Sequence, residues 1–227
     1  MKITYFFTDL GYTGGPLTLY NFMNKLVEFG HDVYVVTPYE HFQWEKDTYL
    51  EYIGKRPKVK IAVRMLRRKL VNALVSQKTL TEVAVITDEL IGKYKEMNID
   101  SDILVATYPY TVDVVMKLGK NKKIVMHNQH YEEHMFQDYA DISQIRILNH
   151  YPVNHIVNCS WLYKMFKSNY GFDPIVITPG IDTEIFSEAK DGTEKYSNIE
   201  KLKIISYCDP QRSFKGYDQQ MKKIKKL

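Results

Sequence analysis

The amino-acid sequence predicts an α/β fold, a Rossmann-like doubly wound parallel sheet, followed by the start of a second domain. Apolar strands alternate with amphipathic helices over residues 1–186, which is the pattern of a sheet covered by helices on both faces. The predicted strand Val33–Thr37 carries a continuous rather than an alternating apolar run. Because strands of a parallel sheet are buried on both faces, this run favours a parallel sheet.

A strand, a glycine-rich turn, a helix and a second strand open the chain. Lys2–Thr8 is rich in β-branched and aromatic residues and is predicted to be a strand. Gly14 and Gly15 lie in the loop that follows, and apolar residues then recur at helical spacing over Leu17–Val27. Gly30 stands where a glycine commonly ends a helix. Together these pieces predict a βαβ unit.

The rest of the first domain repeats this alternation. Further strands are predicted at residues 58–63, 103–107, 123–126, 156–159 and 175–178. Helices are predicted at residues 66–97, 111–117, 132–151 and 161–170. Ser160 is the expected N-cap of the last of these helices, and Gly171 is expected to end it.

A polar segment, residues 187–201, is predicted to be a linker. It separates a first domain at residues 1–186 from residues 202–227, the first strand and helix of an incomplete second domain. Because that last helix reaches Leu227 without a stop signal, we expect the chain to be a truncated part of a longer protein.

Composition bounds the class of protein and its surroundings. The formal net charge is +4, and since nucleic-acid-binding domains are usually more basic, no nucleic-acid partner is predicted. The two cysteines, Cys159 and Cys208, lie far apart in the sequence and indicate neither a disulfide framework nor a metal cluster. The apolar start, Met1–Phe7, is too short for a signal peptide or a membrane span. A cytoplasmic protein is therefore expected.

One strongly basic segment, Lys55–Lys69, carries eight basic and no acidic side chains, with apolar residues interleaved. Such a segment can lie on an anionic membrane surface, which would make the protein peripheral at the inner face of the membrane. The alternative is the solvated face of a helix.

Candidate sites follow from the fold, because ligands of doubly wound sheets bind at the carboxyl ends of the strands. Gly14–Gly15 precedes a helix whose N-terminus favours an anion such as phosphate, although a ligand-free turn is the alternative. The turn after Thr107 and the segment Pro179–Gly180 also follow strands, and the latter is predicted to be a hinge.

The densest polar cluster is His127–His134, which follows a predicted buried strand. It is predicted to bind hydroxyl groups. His130 and His134 are four residues apart and would share a helix face, so a zinc site is an alternative, although no third ligand is evident. A second alternative is a solvated helix start, with Glu132 and Glu133 near the positive end of the helix dipole.

These motifs, in this order, resemble the GT-B glycosyltransferases of family 4, which are retaining, nucleotide-sugar-dependent enzymes. The matching segments are Gly14–Gly15 followed by Gly30–Pro38, His127, Asn158–Leu162 with Tyr170–Gly171, Pro179–Asp182 with Phe186, and Lys203–Tyr207 with Lys215–Gly216. The segment Gln129–Glu132 is also similar to bacterial polysaccharide rhamnosyltransferases, which implies polysaccharide biosynthesis.

The resemblance implies roles for individual residues. Gly14 and Gly15 would lie near the donor diphosphate, and His127 or His130 would contact the transferred sugar near its anomeric centre. Arg212 and Lys215 would neutralise the diphosphate leaving group, although Pro210 stands where the family's arginine lies. No metal and no cofactor is implied, because these cations do the work of a metal.

Further residues are expected around that centre. The acceptor or the sugar would be contacted by Tyr108, Gln129, His130 and Glu132. The hinge between the domains would comprise Pro179, Gly180 and Asp182.

The implied function is transfer of a sugar, with retention, from a nucleotide sugar to a glycan or a lipid-linked acceptor. The family's paired glutamates lie in a second domain that this chain does not complete, so the isolated chain is expected to be inactive. A non-catalytic Rossmann-like module that binds a carbohydrate or a partner is the alternative. A nicotinamide-dependent oxidoreductase is a third reading, but Thr37–Pro38 stands where that class needs an acidic residue.

Overall fold

The structure is a computed structural model of the 227-residue chain. It describes residues 1–7, 14–38, 60–65, 91–92, 95–96, 100–135, 139–181, 183 and 216–225.

Within these residues, seven strands form one sheet, and every neighbouring pair is parallel. In chain order the strands are β1 (Lys2–Phe6), β2 (Asp32–Pro38), β3 (Lys60–Met65), β4 (Ile103–Ala106), β5 (Lys123–Asn128), β6 (Asn154–Val157) and β7 (Ile175–Val176). Their order across the sheet is β3-β2-β1-β4-β5-β6-β7. The predicted α/β, Rossmann-like parallel sheet is therefore confirmed.

Described helices follow β1, β4, β5 and β6, as expected where parallel neighbours need crossover connections. The described α-helices are α1 (Gly14–Glu28), α2 (Pro109–Leu118), α3 (Tyr139–Asn149), α4 (Ser160–Tyr170) and α5 (Tyr217–Ile224). A short 3₁₀ helix, Glu132–Met135, lies between β5 and α3.

The sheet divides the hydrophobic core into two layers. Strand β1 contributes to both, because alternate residues of a strand point to opposite faces of the sheet. Tyr5 belongs to the apolar cluster on the face that α1 covers, together with Met23. Phe6 belongs to the opposite cluster, together with Val112 of α2 and Ile145 of α3. Burial on both faces explains the continuous apolar runs of the strands.

Glycines end two of the helices as predicted. Gly30 follows α1 with a φ of 85°, and Gly171 follows α4 with a φ of 75°. Only glycine adopts this left-handed conformation without a steric cost. The N-cap prediction at Ser160 is wrong, because Ser160 is the first helical residue and Cys159 holds the N-cap position.

The segment after β5 also differs from the prediction. Residues 132–151 do not form one helix but divide into the 3₁₀ helix and α3. His130 precedes both, so the shared helix face predicted for His130 and His134 is wrong. The glutamates at 132 and 133 are buried, which overturns the solvated helix start.

Several predictions fall on residues that lie outside the described part of the chain. They include most of the helix at residues 66–97, the linker at 187–201 and the strand at 203–207. Of the basic segment, residues 60–65 form β3, so this part is not a helix face. Membrane contact through the segment stays a prediction, and no described helix is long and apolar enough to cross a membrane.

The chain divides into two compact units, Met1–Thr178 and Pro179–Leu227. The first contains the whole sheet, and the second contains α5. Pro179 and Gly180, the described residues of the predicted hinge, begin the second unit. The predicted domain limits at residues 186 and 201 lie outside the described residues and stay predictions.

We expect Gly119→Ala to destabilise the first unit. A methyl group on Gly119, the residue after α2, would lie 2.7 Å from Ile124 Cδ1 and 2.8 Å from the Val115 carbonyl oxygen. Relieving that overlap should lower the free energy of unfolding by about 1–3 kcal/mol, measured by urea denaturation. Gly14→Ala is the matched control, since its methyl group would meet no atom within 4 Å. Equal stability of the two variants would contradict the packing described here.

Candidate functional site

The order of the strands places the candidate site. From β1 the chain runs outward to β2 and β3, and it returns to the other side of β1 to build β4 to β7. The direction therefore changes between β1 and β4, and the crevice at the carboxyl ends of these strands is where such sheets bind ligands. Thr107 joins the two strand ends, because its hydroxyl donates to the Phe6 carbonyl oxygen at 2.7 Å.

The first turn of α1 approaches the segment that follows β5. A methyl group placed on Gly15 would lie 3.7 Å from His130 Nε2 and 3.9 Å from Gln129 Cβ. Phe22 lies two turns further along α1, and its ring meets that of His127 at 4.9 Å between centroids. The structure thus brings Gly15 beside Gln129 and His130, and Phe22 of the same helix beside His127, although α1 precedes these residues by more than a hundred positions in the sequence.

His127 is almost fully buried, with 1% of its surface exposed. Neither ring nitrogen has a hydrogen-bond partner among the described residues. Burial lowers the pKa of His127 to about 4, because a desolvated imidazole resists protonation. The ring is therefore neutral at pH 7, with one nitrogen able to donate and the other able to accept.

Polar contacts hold the strand end and the residues after it. The Asn128 side-chain amide donates to the carbonyl oxygens of Met126 at 3.2 Å and Ile156 at 3.0 Å, which ties β5 to β6. The Asn158 amide donates to the Gln129 carbonyl oxygen at 2.8 Å. The Gln129 side chain is buried, and its Nε2 has no partner within the described part of the chain.

Glu132 is a buried carboxyl group, with 1% of its surface exposed. Its Oε2 meets no partner among the residues that the structure describes. Burial raises the pKa of Glu132 to about 8 from an ordinary value of 4.5. The group is therefore protonated and neutral at pH 7, and it is able to donate a hydrogen bond.

The neighbouring Glu133 is ionised, although it is also buried. Its carboxylate accepts hydrogen bonds from Tyr131 at 3.0 Å, from Arg146 Nε at 2.7 Å and from the Tyr170 hydroxyl. Burial by itself raises the pKa of Glu133, but these hydrogen bonds outweigh it and hold the pKa below its ordinary value. Glu133 thereby fastens the turn after β5 to α3 through Arg146 and to α4 through Tyr170.

Tyr108, a predicted contact of the acceptor, holds the N-cap position of α2. Its backbone N–H donates to the Thr111 hydroxyl at 3.2 Å, and that hydroxyl donates to the Tyr108 carbonyl oxygen at 2.7 Å. The half-buried ring packs against the core cluster on the Phe6 face. Tyr108 thus lies at the carboxyl edge of the sheet, with its backbone fixed by Thr111.

Three predicted site residues and the zinc alternative remain. Arg212, Lys215 and Asp182 lie outside the described residues, so their roles stay predictions. For the zinc alternative, the part of the chain that the structure describes contains no group of three or more His, Cys, Asp or Glu side chains placed to hold a metal ion.

Sequence reasoning missed the contacts of Phe22 and Glu133. Phe22 has the spacing of an ordinary core residue of α1, and Glu133 resembles a solvated residue at a helix start. The partners of Glu133 lie 13 and 37 residues further on, at Arg146 and Tyr170, so no local pattern indicates its burial.

Comparison with known proteins gives a likeness of fold. No protein-family model and no curated protein matches the chain. A solved sucrose-phosphate synthase from Thermosynechococcus elongatus is similar, with a TM-score of 0.55 and 11% identity over 88% of this chain and 53% of that chain. HepE (Alr3699) of Anabaena, solved with UDP and glucose, has a TM-score of 0.52 and 14% identity over 86% of this chain and 49% of its own.

A third similar structure is that of TcCGT1 in complex with UDP. Its TM-score is 0.50 with 11% identity, and the match covers 86% of this chain and 54% of that chain. At such identities the likeness establishes the shared fold. The chain spans about half the length of these solved proteins.

We expect Glu133→Ala to destabilise the protein strongly. The change leaves the buried hydroxyls of Tyr131 and Tyr170 without their acceptor and should lower the free energy of unfolding by about 3 kcal/mol. Chemical denaturation measures this. Glu28→Ala is the matched control, because Glu28 pairs with Lys25 on the surface of α1 and should cost less than about 1 kcal/mol. Similar losses of stability in both variants would show that Glu133 does not hold the turn after β5 to α3 and α4.

We expect Glu132→Gln to stabilise the protein increasingly as pH rises. Unfolded Glu132 loses its proton near its ordinary pKa of 4.5, whereas the folded group keeps it until about pH 8. Wild-type stability should therefore fall relative to the variant by about 1.4 kcal/mol per pH unit across this window. Thermal unfolding of both proteins between pH 4 and pH 9 measures the difference. Curves that stay parallel throughout would contradict a protonated Glu132.

Proposed function

We propose that the chain is the acceptor-side part of a retaining, nucleotide-sugar-dependent glycosyltransferase of GT-B family 4. In this proposal it transfers a sugar to a glycan or a lipid-linked acceptor. The observation that carries the proposal is the approach of the first turn of α1 to the segment after β5, at Gly15 and His130. This approach places an anion-binding helix terminus beside a polar cluster at the carboxyl edge of the sheet.

The helix terminus suits the diphosphate of a nucleotide sugar. The backbone N–H groups of a first helical turn lack intrahelical partners, and the helix dipole adds positive potential there. Gly14 is exposed and carries no side chain, so a phosphate can approach the backbone closely. Stabilising the diphosphate as it leaves is the main electrostatic task of such a transfer. Arg212 and Lys215 are proposed to add charge to this site, in place of a metal.

The residues after β5 suit the transferred sugar. His127 is neutral at pH 7 because burial lowers its pKa, so it can exchange hydrogen bonds with hydroxyl groups without placing a fixed charge beside them. His130 is exposed and faces Gly15. We assign the contact with the transferred sugar to His127. We assign His130 and Gln129 to the side of the site that faces Gly15.

The solved proteins of similar fold support this choice of ligand. HepE of Anabaena was solved with UDP and glucose, and TcCGT1 with UDP. Their bound nucleotide makes a nucleotide sugar the first donor class to test here.

We expect His127→Ala to lower turnover at least about 100-fold, because the variant removes a preorganised hydrogen-bonding group at the reacting sugar. The assay is release of nucleoside diphosphate from a panel of UDP-, GDP- and dTDP-sugars by the full-length enzyme that contains this chain. His31→Ala is the matched control, since His31 immediately precedes β2 at the opposite, amino edge of the sheet. Circular dichroism verifies that both variants are folded.

Two outcomes would contradict the assignment. Near-normal turnover by folded His127→Ala would remove His127 from the reaction. Binding of a glycan without nucleoside diphosphate release from any donor would favour the non-catalytic carbohydrate-binding module instead.

A further inference from the structure

A large aromatic side chain stands in solvent at the carboxyl edge of the sheet. Trp161 lies in the first turn of α4, just after β6, and half of its surface is exposed (50%). The next residue, Leu162, is buried in the core. Leaving an indole exposed forgoes much of the stabilisation that its burial would supply.

Two further rings adjoin the indole. The centroid of the His134 ring lies 6.0 Å from that of Trp161 at an interplanar angle of 49°, and the Tyr131 ring lies 6.2 Å away at 85°. Tyr131 and His134 meet edge to face at 4.8 Å. Tyr131 is buried, whereas His134 is exposed. We name these three side chains the Trp161 platform.

Hydrogen bonds of the Tyr131 hydroxyl hold the platform in place. The Tyr131 hydroxyl accepts a hydrogen bond from Asn169 Nδ2 at 2.6 Å and donates to Glu133 at 3.0 Å. Asn169 and Trp161 belong to the same helix, α4. Tyr131 is therefore fixed to the element that carries the indole, and a ligand that stacks on the platform meets a surface that is already ordered.

The platform adjoins the candidate donor site through one short segment. Gln129 and His130 approach Gly15 of α1, and the next residue, Tyr131, begins the platform. The segment therefore has the helix terminus on one side and the exposed indole on the other. This is the arrangement that two substrates meeting at one reaction centre require.

The ring geometry favours a pyranose over a flat aromatic ligand. A planar aromatic ligand binds best in a slot between parallel rings, but the rings of Trp161 and His134 are tilted by 49°. A pyranose presents an apolar C–H face, which suits one aromatic surface, and a rim of hydroxyl groups, which need polar partners. The exposed His134 ring can donate or accept hydrogen bonds at that rim.

We propose that the Trp161 platform binds a pyranose ring of a glycan acceptor by stacking on the indole, with His134 as its polar partner. This inference rests on the proposed glycosyltransferase function and adds the acceptor subsite to it.

The test measures glycan binding and donor turnover separately. The chain has two tryptophans, so Trp44→Phe provides a background in which the fluorescence reports Trp161 alone. An array of pyranose oligosaccharides identifies a bound glycan. Fluorescence in this background shows whether the glycan contacts Trp161, and isothermal titration calorimetry gives the affinity of every variant, including those that lack Trp161. Trp161→Ala should weaken binding about tenfold, whereas Trp161→Phe, which keeps an aromatic face, should retain most of it.

Phe29→Ala is the matched control, because Phe29 is also an exposed aromatic residue (75%) and follows α1 at the opposite edge of the sheet. This variant should bind the glycan as the wild type does. Nucleoside diphosphate release in water by the full-length enzyme, with no glycan acceptor present, should be the same in Phe29→Ala as in the wild type.

The outcomes separate the two proposals. Donor turnover with a glycan affinity that Trp161→Ala leaves unchanged would overturn the platform and keep the transferase. Loss of glycan affinity in Trp161→Ala without any donor turnover would keep the platform and overturn the transferase. The absence of any bound oligosaccharide, or stacking of the flat flavonoid quercetin in place of a glycan, would also overturn the platform.

Discussion

The buried carboxylate of Glu133 is the constraint on which the candidate site depends. It lies in a 3₁₀ turn that belongs to no sheet or α-helix, and it takes hydrogen bonds from Tyr131 on its own turn, Arg146 on α3 and Tyr170 on α4. A buried charge is tolerated only when donors replace its lost hydration. Because the three donors must come together around the carboxylate, the same requirement fixes the position of the turn relative to α3 and α4.

The two adjacent glutamates show how this constraint organises charge. Glu132 stays protonated, with its pKa raised to about 8, because burial outweighs its one backbone hydrogen bond, and its Oε2 has no partner among the described residues. Glu133 has three donors, and its pKa is held below the ordinary value. His127 is also neutral at pH 7, because burial lowers its pKa to about 4. Of the adjacent glutamates, only the one with three donors therefore carries a charge, and Arg146 neutralises it.

The sequence was informative about the fold and the position of the site, and less so about how the site is held. Continuous apolar strands and the glycines at 30 and 171 determine the sheet and its helix ends through local rules, so these were predictable. The approach of Gly15 to the segment after β5 follows from the rule that the carboxyl ends of parallel strands meet at one edge of the sheet. The anchor did not, because the distance from Glu133 to Tyr170 along the chain is set by packing, and local spacing cannot distinguish a solvated acid from a buried one.

Tyr131 joins the anchor to the exposed surface, and this has a consequence for how the site tolerates change. Its hydroxyl belongs to the Glu133 network, while its ring supports His134 and Trp161. A change at Glu133 therefore alters stability and the surface above it together. A change at Trp161 alters the surface alone, because the indole is exposed and the hydrogen bonds that hold Tyr131 remain. The exposed surface on this side can thus change at residues 134 and 161 without loss of the fold, since the hydrogen bonds that hold Tyr131 do not involve those two side chains.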